Sequence, residues 1–144
     1  MSSKPVSKKL RLGEGDSVLV LNSPGDYREI LASVPAGVVI SEEPNGEFDF
    51  VHLFACNRAD LDRYIDVALD AVTYDGLLWV SYPKGSSKVE TDINRDSIWE
   101  LLKEKGIRPV TQVSVDSTWS ALRFRPEEMV GKIGASAAGR RASR

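Results

Sequence analysis

The sequence predicts an α/β protein: three layers, with a mostly parallel sheet and an antiparallel hairpin at its C-terminal end. Three observations carry this. Short apolar runs alternate with amphipathic stretches, which puts helices on both faces of a parallel sheet. Residues 17–31, SVLVLNSPGDYREIL, read as strand, turn and helix in direct succession. Residues 107–115 and 118–124 read as strands whose link, Asp116-Ser117, is too short for a parallel crossover.

The elements follow in order. Val18-Leu19-Val20-Leu21 has the continuous apolarity of a strand buried on both faces. Residues 26–34 form a short helix with Tyr27, Ile30, Leu31 and Val34 on one stripe, ended by Pro35-Ala36-Gly37. Val38-Val39-Ile40 is the second strand, and residues 42–46 are a turn. Residues 48–55, FDFVHLFA, are the third strand. Asn57 is an N-cap, and Leu61, Tyr64, Ile65, Ala68, Leu69 and Val72 mark a long amphipathic helix. Asp62, Asp66 and Asp70 are its solvated face. Asp75-Gly76 turns the chain into a fourth strand, residues 77–82, LLWVSY. A polar loop over 83–89 precedes a last helix that buries Ile93, Ile98, Leu101 and Leu102, with Asn94 as its cap and Gly106 as its end. The second and third strands are joined without a helix. Either they are not neighbours, or a strand-helix unit has been lost.

Length and composition bound the rest. The 144 residues suffice for one domain, expected over residues 12–126. Residues 1–11 carry Lys4, Lys8, Lys9 and Arg11 and read as a basic tail. Residues 127–144, rich in Gly, Ala, Ser and Arg, read as a second, flexible one. The centre holds 11 basic and 19 acidic residues, so an acidic body lies between basic ends. Weak nucleic-acid association through those ends is one alternative, although neither contains an aromatic residue on which a base could stack. No apolar run reaches membrane-spanning length, and the N-terminus lacks the apolar core of a signal peptide, so a cytoplasmic location is expected. One cysteine excludes an internal disulfide and argues against a thiolate metal site, and one histidine leaves little material for zinc binding.

Ligands of such sheets sit beyond the carboxyl ends of the strands, where strand order reverses. That edge collects Asn22, Ser23, Cys56, Asn57, Arg58, Ser81, Tyr82 and Lys84, with Asp116 as a further candidate. Arg58 and Lys84 are candidates to hold an anionic group together with Asn57, Ser81 and the N–H groups of the helix start. The plain alternative for both cations is surface charge. Cys56 and His52 stand four residues apart on one strand, roughly 13 Å, and do not form a catalytic pair. Cys56 is expected to pack, and His52 to be a satisfied strand histidine. Trp79, Trp99 and Trp119 are expected in core or edge packing; Trp119, directly after a turn, is also a candidate partner surface if exposed. Lys84-Gly85-Ser86-Ser87-Lys88 lacks the upstream glycine spacing of a phosphate loop.

The layout over about residues 12–125 resembles the class I S-adenosylmethionine-dependent methyltransferases, a Rossmann-like fold ending in an antiparallel strand. The phrases LDAVTYDGLLWV at 69–80 and DFVHLF at 49–54 carry the likeness. More closely, LWVSYPK at 78–84, Glu90-Thr91-Asp92 and VDSTWS at 115–120 are similar to the bacterial DUF3052 domain, a family of small proteins that supplies no activity. The methyltransferase resemblance implies a cofactor site at Asn22, Ser23 and Gly25, with Glu42 or Glu43, 20 and 21 residues after Asn22, on the ribose hydroxyls. The turn Asn22-Ser23-Pro24-Gly25 has one glycine where that family has a glycine-rich cradle. Residues alone therefore favour a non-catalytic module that binds a protein partner, a second copy of itself or a small anionic ligand. The alternative is a minimal S-adenosylmethionine-dependent methyltransferase-like enzyme.

Overall fold

The computed structural model describes residues 5–130; the remainder of the expected C-terminal tail and residues 1–4 lie outside the described residues. Six strands form one sheet: β1 (Ser17–Leu21), β2 (Val39–Ser41), β3 (Phe48–Phe54), β4 (Val72–Pro83), β5 (Ile107–Ser114) and β6 (Trp119–Pro126). Their spatial order is β2-β1-β3-β4-β6-β5. The first four run parallel, and β6 pairs antiparallel with both β4 and β5, as the short link requires. β1 lies between β2 and β3, so the helix-free link of residues 42–47 steps over it. It can do so because β2 is three residues long and pairs only with Ser17, Val18 and Leu19, the first part of β1.

Four α-helices accompany the sheet: α1 (Val6–Lys9), α2 (Tyr27–Leu31), α3 (Arg58–Ala71) and α4 (Arg95–Leu102). Alternating residues of the strands divide the core into two layers. Leu19, Val51, Leu53, Leu78 and Val80 meet Leu61, Ile65 and Ala68 of α3 and Ile98 and Leu102 of α4. Val18, Val20, Phe50, Phe54, Leu77 and Trp79 meet Leu10, Tyr27 and Leu31 on the other face. The local caps expected at α3 and α4 are present: Asn57 accepts from the Asp60 N–H, and Asn94 and Ser97 form a reciprocal capping box.

Three boundaries differ from expectation. The domain does not begin at residue 12. Leu10 is fully buried and its carbonyl accepts from the Trp79 indole N–H at 3.0 Å, so residues 5–11 pack on the sheet. α2 ends at Leu31, before Val34, because Ala32 turns to φ 70°. β4 begins at Val72, directly after α3, and Asp75-Gly76 makes a bulge inside it. Across that bulge β3 advances from Phe48 to Phe50 while β4 advances from Val72 to Leu77. Asp75 there has φ 56°, and its buried carboxylate receives Arg125 through two bonds of 2.9 and 3.0 Å.

Candidate functional site

Strand order reverses between β1 and β3, since β1 leads to β2 on one side and β3 lies on the other. The crevice above their carboxyl ends is the position where open α/β sheets hold ligands. Its floor is Asn22, the residue after β1. Asn22 adopts the left-handed conformation, φ 61°, which asparagine tolerates better than most side chains. Its Nδ2 donates to the Phe54 carbonyl at 2.9 Å and to the Asp60 carboxylate at 3.3 Å. The side chain therefore ties the end of β1 to the end of β3. Ser23 donates its hydroxyl to the Gly25 carbonyl at 2.7 Å. Gly25 has ordinary backbone geometry, and a Cβ placed on it meets nothing within 4 Å. The loop thus lacks the close approach for which a cradle needs glycine.

The donors expected to receive an anion are committed within the chain. The Cys56 N–H donates to Asp60 Oδ2 at 3.0 Å, the Arg58 N–H to Asp92 Oδ1 at 2.8 Å, and the Asp60 N–H to Asn57 Oδ1 at 2.9 Å. Two carboxylates occupy the start of α3, where a bound anion would otherwise benefit from the helix field. Arg58 and Lys84 are not brought together on a ligand. The Arg58 guanidinium sits 3.6 Å from Asp62, and the Lys84 ammonium donates to the Ser114 hydroxyl at 2.6 Å. Ser81 is fully buried and lies 2.6 Å from His52 Nε2, away from the edge. The four-residue anion site expected from Asn57, Arg58, Ser81 and Lys84 is accordingly not assembled.

His52 is a satisfied core histidine. Its Nδ1 is 2.6 Å from the Tyr27 hydroxyl, and Phe54 stacks on its ring at 4.2 Å. Burial lowers its pKa to about 3 and raises that of Tyr27. Burial, followed by the charge and hydrogen bond of Asp60, raises the Cys56 thiol, which opposes a reactive thiolate. The Tyr27–His52–Ser81 chain joins residues 25 and 29 positions apart, and no local pattern in the sequence marks it.

An open cavity of about 410 Å³ lies beside the loop, lined by Pro24, Gly25, Asp26, Glu29, Asp116 and Trp119 among others. Trp119 is only 6% exposed and packs edge-on to Phe54 at 5.2 Å. It forms a wall of this cavity; the partner surface expected of an exposed indole is not there. Glu42 and Glu43 follow β2 directly and are exposed, but they do not line the cavity. Asp26 and Asp116 each use one oxygen on backbone N–H groups. The edge is thus rich in carboxylates and poor in free donors. Among the described residues no cluster of His, Cys, Asp or Glu suits a metal ion, and no helix is long and apolar enough to cross a membrane.

A similar architecture occurs in solved structures of other proteins. DhpI, solved with SAH, superposes with a TM-score of 0.57 at 13% identity, covering 84% of this chain and 82% of its own. The fibrillarin pre-rRNA processing protein of Methanococcus jannaschii gives 0.55 at 12% identity, over 87% and 70% of the two chains. The ribosomal protein L11 methylase of Lactobacillus delbrueckii subsp. bulgaricus gives 0.54 at 12%, over 79% and 71%. The fold is Rossmann-like, with a mostly parallel six-stranded sheet. No family model and no curated protein matches the sequence.

The structure also tests the cofactor that this fold implies. S-adenosylmethionine carries a sulfonium and an ammonium against one carboxylate. The carboxylates Asp26, Glu29 and Asp116 suit its cationic groups, while Glu42 and Glu43 stand outside the cavity lining. The Asn22 side-chain amide and the Cys56 and Arg58 backbone N–H groups are already taken, which leaves for the cofactor's carboxylate the Arg58 guanidinium, held only loosely at 3.6 Å from Asp62. The cavity lining thus suits the cationic portion of the group.

Proposed function

We propose that this protein is methyltransferase-like and binds S-adenosylmethionine across the carboxyl ends of β1 and β2. The observation that supports it most directly is the sign of that edge. Acceptors are in excess and the amide donors are taken, which favours a ligand with sulfonium and ammonium groups over a phosphate. In this reading Asp26, Glu29 and Asp116 face the cationic end, Glu42 accepts from the ribose, with Glu43 beside it, and Asn22, Ser23 and Gly25 form the loop below. The cofactor, when bound, supplies an electrophilic methyl group on sulfur.

Calorimetry on the full chain tests the reading. S-adenosylmethionine is expected to bind and ATP to give no heat. Glu42→Ala is expected to weaken binding about tenfold, the loss of one charge-assisted hydrogen bond. Absence of binding at millimolar cofactor rejects the proposal.

A second reading is a non-catalytic module for a protein partner or a second copy. One observation favours it: the Asn22 side chain closes the β1–β3 crevice with two hydrogen bonds of its own. Restoring space with Asn22→Gly separates the readings. Tighter S-adenosylmethionine binding by the variant supports a blocked site and this second reading; unchanged or weaker binding supports the first.

A further inference from the structure

The sheet edge opposite β2 carries a second candidate site, built on Trp99. This indole is 37% exposed, whereas Trp79 and Trp119 are buried. It lines a cavity of about 340 Å³ with Arg95, Asp96, Arg108, Pro109 and Val130. Arg95 and Trp99 are four residues apart on α4 and share one face of the helix. Arg95 is exposed and forms no ion pair or hydrogen bond among the described residues, although as the first residue of α4 its charge opposes the helix dipole. Arg108, on edge strand β5, stands across the cavity. Among the described residues its ion pair is a loose one, 3.7 Å to Glu127 with both side chains more than half exposed. Such pairs contribute little and yield readily to a better anion. Asp96 is the one acidic group lining the cavity.

We propose that this notch binds one nucleotide unit of a single-stranded nucleic acid, its base stacked on Trp99 and its phosphate held between Arg95 and Arg108. A flat apolar ring flanked by two guanidinium groups matches a ligand that joins a flat ring to an anion. Charge along the chain argues for a strand over a free nucleotide. Val130 lines the notch, and the sequence after it carries Lys132, Arg140, Arg141 and Arg144 with no acidic residue. The tail lacks an aromatic residue; the notch at its root supplies one. This inference stands apart from S-adenosylmethionine binding, which concerns the other edge of the sheet.

The test is fluorescence anisotropy of a labelled 12-mer oligothymidylate titrated with the full chain, over a series of salt concentrations. Trp99→Ala is expected to weaken binding at least about fivefold. Arg95→Gln with Arg108→Gln is expected to lower the salt slope by about 0.7, the share of one phosphate on a single strand. Matching urea transitions show that these exposed substitutions leave the fold intact. Equal affinity of Trp99→Ala and the parent chain overturns the site, whether the 12-mer binds both through the basic tail or binds neither. Thymidine monophosphate bound as tightly as the 12-mer overturns the assignment to a strand.

Discussion

His52 sets a pH dependence that belongs to a single residue. Its pKa is about 3 in the folded chain because its ring is buried, against an ordinary value near 6.5 when the chain unfolds. Between those values the unfolded chain binds the proton and the folded chain does not. Stability therefore falls as pH falls from about 6.5 toward 3, by at most about 1.4 kcal/mol per pH unit from this group. His52→Gln, which cannot titrate, is expected to start lower because the Tyr27 and Ser81 bonds are disturbed, yet to lose less between pH 7 and pH 5. Urea unfolding of both proteins at the two pH values checks this; equal losses would refute it. That His52 is a satisfied strand histidine was legible in FDFVHLFA, since a polar ring in an apolar strand must find partners. Which partners was not, because α2 and β4 bring them from elsewhere. The three tryptophans show the same limit. Trp119 follows a turn and is buried, while Trp99 lies in the middle of α4 and is 37% exposed. Exposure there depends on the hairpin folding back onto β4, a long-range fact.

Elements differ in how far their residues announce them. α3 and α4 were legible because their caps and stripes lie within a few positions of each other. The bulge in β4 was legible as a break at Asp75-Gly76, but as a turn before a strand and not as a kink within one. The sheet continues across it because Arg125, from β6, neutralises Asp75 inside the core. Two glycines sharpen this. A Cβ at Gly76 would lie 2.6 Å from Thr73 Oγ1 and 2.9 Å from the Thr73 carbonyl oxygen, so Gly76→Ala must move backbone. A loss of about 1–3 kcal/mol is expected, as for other overpacked sites. Gly25 has open space and an ordinary φ, so Gly25→Ala is expected to stay within about 0.5 kcal/mol. Thermal melts of the two variants should therefore separate clearly. The feature that suggests a nucleotide turn in the sequence is thus the more dispensable glycine of the pair.

At the scale of the molecule, the chain keeps a Rossmann-like sheet, ordered β2-β1-β3-β4-β6-β5, while linking β2 to β3 with six residues and no helix. The face that carries α2 is consequently thinly covered, and the N-terminal segment completes it. Leu10 and Leu12 join the layer of Tyr27, Leu31, Phe50 and Trp79, and the Leu10 carbonyl satisfies the indole N–H of Trp79 beneath it. The four positive charges of residues 1–11 favoured reading this segment as a tail, yet the pattern Leu10-Arg11-Leu12 already alternates apolar and charged. The distinction has an experimental consequence. Deleting residues 1–11 to test a role of the basic ends would uncover the core and confuse lost charge with lost stability. Substitution separates the two. Leu10→Ala is expected to cost about 2–5 kcal/mol, the usual range for a buried leucine, and to expose Trp79 to acrylamide quenching. Lys8→Gln removes a charge from an exposed position and is expected to leave the melting temperature unchanged. If Leu10→Ala melts with the parent chain, residues 5–11 are a tail after all, and the fold closes without them.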